Sequence, residues 1–142
     1  MAEDPIKPET WVDLEKILDD AGAIAQATLK KAGGLNPTLF ALDADGKCMP
    51  VDMVSQDGKA DSALEYAARK EFMKQKSKDY RALCLISDVK VDDGKSSGAL
   101  HLEVVHVGSA ELEYHLPYIF SGFIRKAPLY GKMQLVSYKG DK

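Results

Sequence analysis

Between Tyr80 and Phe120 the chain alternates apolar and polar residues in the period-2 rhythm of half-buried strands. In Ala99-Leu100-His101-Leu102-Glu103-Val104-Val105-His106, the residues Leu100, Leu102 and Val104 fall on one side and His101, Glu103 and Val105 on the other. Glu111-Leu112-Glu113-Tyr114-His115-Leu116 repeats the alternation. The turn between them lies at Val107-Gly108-Ser109, where Gly108 tolerates positive φ. Loop length sets the register, and a shift of one residue exchanges the two faces. A three-residue loop sets Val104 opposite Leu112, Leu102 opposite Tyr114 and Leu100 opposite Leu116. A two-residue Gly-Ser turn would instead bring Glu113 and His115 in among Leu102 and Val104. The three-residue register is therefore expected, with the apolar set under the helices and His101, Glu103, Glu113 and His115 facing solvent or a partner.

Helical spacing governs two other stretches. Trp11, Leu14, Ile17, Leu18, Ala21, Ile24, Ala25 and Leu29 recur on one side of a helix that opens at a capping-box-like Thr10-Trp11-Val12-Asp13 and stops at Lys30-Lys31-Ala32-Gly33-Gly34. A second helix runs from Asp61 or Ser62 to about Lys76, with Leu64, Ala67, Ala68 and Phe72 as its apolar side. Its last turns carry Arg69, Lys70, Lys74 and Lys76, as the helix dipole favours. Pro37–Leu42 and Lys47–Val54 form a hairpin about Asp43-Ala44-Asp45-Gly46, and Pro50, which has no N–H for a ladder, belongs on an edge. The Asp43–Gly46 stretch lacks the spacing of an EF-hand and reads as a turn. Tyr80–Ser87 is nearly continuous in apolar residues, as in a central strand covered on both sides. A last strand spans Met133–Tyr138.

The order α-β-β-α-β-β-β-β implies an α+β fold with both helices packed on one face of an antiparallel sheet. At 142 residues this is one domain, residues 10–142, behind a flexible arm of residues 1–9 in which Pro5 and Pro8 discourage helix.

Composition narrows the function classes. A net charge of -3 and a pI of about 5.6 argue against nucleic-acid binding, which needs a basic footprint. No apolar run approaches the roughly 20 residues a bilayer requires, and the first residues do not read as a leader, so a cytoplasmic protein with no membrane partner is expected. Cys48 and Cys84 sit among apolar strand residues, as free cysteines do, and imply no disulfide framework. Gly94-Lys95-Ser96 lacks the first glycine of a phosphate-binding loop, Val89 standing in its place. No nucleophile elbow and no glycine-rich dinucleotide turn is present, so nucleophilic catalysis is poorly supported, the balance leans away from an enzyme, and no cofactor is expected.

Two sets of residues carry chemistry. In the three-residue register His101 faces His115 and Glu103 faces Glu113, with Glu111 nearby. Paired carboxylates repel across a ladder unless something offsets them. Imidazole and carboxylate are ordinary ligands of zinc, manganese and non-haem iron, so His101, Glu103, Glu113 and His115 are the candidate metal ligands, though without the spacing of an established motif. Such a site would suit a small metal- or ligand-binding protein, conceivably a hydrolase. The other set is Tyr118, Phe120, Phe123, Arg125, Lys126 and Tyr130, where aromatics alternate with cations as at protein-binding surfaces. The leading expectation is a non-enzymatic binding or assembly module that meets a protein partner or its own copy through a sheet edge and this aromatic segment.

Overall fold

The computed structural model describes residues 8–32, 35, 37–51, 62–76, 79–89, 98–106, 110–119 and 129–139. Helix α1 covers Pro8–Ala32, strands β1 and β2 cover Thr38–Leu42 and Cys48–Val51, and helix α2 covers Ser62–Lys76. The remaining strands are β3 (Ala82–Val89), β4 (Gly98–His106), β5 (Glu111–Ile119), β6 (Leu129–Tyr130) and β7 (Gln134–Lys139). They form one antiparallel sheet in the order β2-β1-β3-β4-β5-β6, with β7 also pairing β5. This is the expected α+β order, with the two-residue β6 added. Helix α1 opens at Pro8, inside the stretch expected to be an arm. Proline is well suited to a first helical position, where its missing N–H has no partner to lose. Residues 1–7 lie outside the described residues.

The hairpin adopts the three-residue register. Val104 pairs with Leu112, Leu102 with Tyr114, Leu100 with Leu116, His101 with His115 and Glu103 with Glu113. The His106 N–H donates to Ala110 O at 2.7 Å and closes the ladder ahead of residues 107–109, which lie outside the described residues. The hairpin between β1 and β2 closes on Asp43, whose Oδ1 accepts the N–H groups of Asp45 and Lys47, each at 2.9 Å. Gly46 completes that turn at φ 82°, where a side chain would be strained.

The two helices lie on opposite faces of the sheet, not on one. Leu14, Ile17, Ala21, Ala25 and Leu29 of α1 pack with Phe40, Leu42, Cys84, Ile86, Leu102 and Val104. Met73 of α2, flanked by Tyr66 and Phe72, packs with the alternate strand residues Leu39, Ala41, Leu83 and Leu85. Strand parity demands this division. Residues 82–87 of β3 are buried without a break, and consecutive side chains point to opposite faces, so both faces need a cover. Among the described side chains of α2, Tyr66, Phe72 and Met73 face the sheet, whereas Ala67 and Ala68 are exposed, and the side chain of Leu64 lies outside those described. On α1, Trp11 and Ile24 fit the expected stripe but are exposed.

Leu102 sits at the centre of the α1-covered face, fully buried between Ile86 and Tyr114. Leu102→Ala should cost about 2–5 kcal/mol as a core cavity, read from the shift in a denaturant melt. A cost under about 1 kcal/mol would mean that this face is not the core.

Candidate functional site

The face covered by α2 is chemically mixed because β4 and β5 turn their polar positions toward it. Beside the apolar patch under Met73, the sheet presents His101 and Glu103 from β4 opposite His115 and Glu113 from β5. Glu103 is only 9 % exposed, and its carboxylate is met from above by α2. The Tyr66 hydroxyl donates to it, lying 2.7 Å from both oxygens, and Lys70 Nζ stands 3.1 Å from Oε1. Burial pushes the Tyr66 hydroxyl pKa well up, and the carboxylate of Glu103 pushes it further, so the phenol stays a donor. Tyr66 and Lys70 stand four positions apart, one helical turn, and so reach the same carboxylate.

Glu113 does not share that compensation. Its Oε1 lies 3.1 Å from His101 Nε2, and Glu103 Oε1 lies 3.9 Å from the same nitrogen. His101 Nε2 is buried and makes no hydrogen bond, so Glu113 is near it but out of line with the ring N–H. Donor atoms of His101, Glu103 and Glu113 all fall within 4.8 Å of one another. Of the four candidate ligands, these three converge. His115 instead sets its ring edge-on to His101, with centroids 4.9 Å apart, and braces that imidazole. With two carboxylates against one lysine, the cluster keeps an excess of negative charge.

The α1-covered face holds a polar cluster that the strand pattern did not single out. Asp13, in the first turns of α1, accepts hydrogen bonds from the guanidinium of Arg81 and, at 2.8 Å, from His106 Nε2. The carboxylate only accepts, so His106 carries its proton on Nε2. Burial alone would raise the Asp13 pKa, but the hydrogen bonds from His106 and Arg81 outweigh it and hold the carboxyl below its ordinary value of 3.8. Every group in this clamp is matched, and it ties the start of α1 to β3 and β4. The available signal was parity, since His106 continues the Leu100, Leu102, Val104 face rather than the face of His101.

The aromatic segment is divided. Tyr118 is buried, its hydroxyl donating to Asp88 Oδ1 at 2.7 Å, and Tyr130 packs against it with ring centroids 6.5 Å apart. Tyr118 is thus a core residue and not part of a docking surface, because even positions of β5 face α1. Gly98 makes room for it, since a Cβ there would stand 2.6 Å from the Tyr118 hydroxyl. Phe120, Phe123, Arg125 and Lys126 lie outside the described residues. Both cysteines are free, and burial raises the pKa of each thiol, most strongly at Cys84, which disfavours the thiolate.

The Asp13 clamp should appear in stability. Asp13→Asn leaves Arg81 and His106 facing a neutral amide and is expected to cost about 1–3 kcal/mol at neutral pH. A depressed carboxyl pKa stabilises the folded state above the unfolded value and loses that contribution as pH falls through the folded value. The gap between wild type and Asp13→Asn should therefore close below about pH 4 in urea melts. A gap that stays constant down to pH 2.5, about the lowest practical value, would show that the carboxylate is not held.

Comparison of the chain with protein-family models, with curated proteins and with solved structures finds no match in any of the three.

Proposed function

We propose that the protein is a binding module that holds a divalent cation at His101, Glu103 and Glu113. The observation that carries this reading is the buried imidazole nitrogen of His101, without a hydrogen bond, at 3.1 Å and 3.9 Å from carboxylate oxygens of two different glutamates. Ligand-to-metal distances of about 2.0–2.2 Å place neighbouring donors roughly 3–4 Å apart, the spacing of His101 Nε2 from each glutamate. A mixed imidazole and carboxylate set suits zinc, manganese or nickel better than magnesium, which prefers oxygen ligands and water. Tyr66, hydrogen-bonded at both oxygens, fixes the orientation of the Glu103 carboxylate, as outer hydrogen bonds commonly do for metal ligands. Lys70, 41 % exposed, occupies the place of a competing cation and can withdraw into solvent.

Elemental analysis of untagged protein and calorimetric titration with zinc, manganese and nickel test the reading. One equivalent is expected to bind, with affinity falling as acid protonates the imidazole. Glu113→Gln should abolish binding yet leave the stability of the metal-free fold within about 0.5 kcal/mol, because it also relieves the repulsion from Glu103. Lys70→Met should strengthen binding about two- to fivefold by removing the competing charge. No stoichiometric metal and no thermal shift with any of the three cations would overturn the reading.

A second reading, assembly through a sheet edge, is favoured by β7. Leu135 and Val136 are 51 % and 50 % exposed on a six-residue strand, and among the described residues nothing pairs with its outer side. The opposite edge, β2, is four residues long and blunted by Pro50. The register shift at Glu113/Tyr114 twists the β7 edge, which restrains open-ended pairing and favours a closed pair. On this reading the occupant is the β7 strand of a second copy. Light scattering behind size-exclusion chromatography should find a dimer that Val136→Lys dissociates. A monomer at every concentration sinks this reading and leaves the metal site untouched.

A further inference from the structure

At the far end of the α2-covered face, a cavity of about 360 Å³ opens between α2, the end of β3 and the approach to β1. Leu35, Pro37 and Val89 give it apolar walls, and Tyr66, Ser87 and His101 bring polar atoms to it. Ser87 and His101 are ladder partners on β3 and β4, so their side chains stand side by side on this face. Ser87 is the unusual member. It is 5 % exposed, it follows five buried apolar or small residues of β3, and its hydroxyl has no hydrogen-bond partner. A buried hydroxyl without a partner forgoes hydration for nothing unless something else supplies the bond.

The charge of the wall defines what that something is. No lysine or arginine is among the described lining residues, and the carboxylates of Glu103 and Glu113 stand beyond His101, so an anionic ligand finds repulsion and no counter-charge. A cationic ligand fares no better. Asp88, in the wall, alternates with Ser87 along β3 and sends its carboxylate to the opposite face, where it accepts the Tyr118 hydroxyl. The Tyr66 proton is committed to Glu103. His101 turns its Nε2 to the two glutamates, and what remains is an apolar hollow with one free hydroxyl, near the small end of the roughly 300–1,000 Å³ that small-molecule sites occupy. We infer that this cavity binds a small uncharged alcohol or carbonyl compound of about one ring, its single polar atom hydrogen-bonded to Ser87 Oγ. This site is separate from the cation cluster, although His101 borders both.

Titration of chelator-treated protein with benzyl alcohol, toluene and benzoate, followed residue by residue in ¹H–¹⁵N spectra, tests the inference apart from any metal. Benzyl alcohol should shift the amides of Ser87, Val89 and His101, and benzoate should bind at least about tenfold more weakly, since its charge is desolvated without a partner. Ser87→Ala, which removes only the unpartnered hydroxyl, should weaken benzyl alcohol about three- to tenfold and leave toluene within about twofold. Ser87→Thr, which keeps the hydroxyl, should restore preference for the alcohol over toluene. Equal affinity for alcohol and hydrocarbon in the wild type, or no shift with benzyl alcohol at millimolar concentration, would overturn the inference and leave Ser87 Oγ to water alone.

Discussion

Strand β3 is buried on both sides over six consecutive residues, and that continuous burial is the constraint on which the rest of the structure depends. A strand exposes alternate side chains to alternate faces, so no single layer of helix can satisfy it. One face receives Cys84 and Ile86 and is covered by α1, while the other receives Leu83 and Leu85 and is covered by α2. The hairpin of β4 and β5 extends the same division, because its register carries the parity of β3 outward one strand at a time. Had the loop at 107–109 been one residue shorter, Glu113 and His115 would have joined the α1 side.

The two covers are chemically unequal, and the proposed sites rest on this inequality. Helix α1 meets a face whose centre is wholly apolar, with a charged clamp, Asp13 with Arg81 and His106, at the edge of the contact. Helix α2 is shorter, and it lies where the sheet passes from Leu83 and Leu85 to Glu103, Ser87 and His101. It answers that gradient with side chains of double character. Tyr66 packs its ring and gives its hydroxyl to Glu103, and Lys70, one turn on, gives its charge to the same carboxylate. Compensation stops there. Among the described residues, Glu113, His101 Nε2 and Ser87 Oγ are left with less than their chemistry can use, and all three lie at that end of the sheet.

Much of this was legible in the sequence. Alternation placed β4 and β5 and, with the cost of burying Glu113, selected their register. Helical spacing placed α1 and α2, and the unbroken apolar run of β3 already demanded cover on both sides. Putting both helices on one face overlooked that demand. Contacts between distant parts of the chain were not legible. Tyr66 reaches Glu103 across 37 positions, Arg81 reaches Asp13 across 68 and His106 reaches Asp13 across 93. No local periodicity encodes which polar residues meet over such separations. Tyr118 was misplaced for a related reason, because the composition around it resembles a docking surface while strand parity turns this one ring inward.

His101 borders both proposed sites, and the chemistry of its ring would make them dependent on each other. A neutral imidazole carries one proton on one of two nitrogens, and a cation that takes the lone pair of Nε2 moves that proton to Nδ1. The ring would then be fixed between the glutamates on one side and His115, packed edge-on, on the other. Because the same ring borders the cavity beside Ser87, cation binding would also fix one wall of the small-molecule site. Binding free energies are reciprocal, so whatever the cation contributes to the affinity of the cavity, an occupant of the cavity returns to the cation. The carrier of that coupling would be a single rung of the β3–β4–β5 ladder, Ser87 to His101 to His115, held in place by the same register that builds the core.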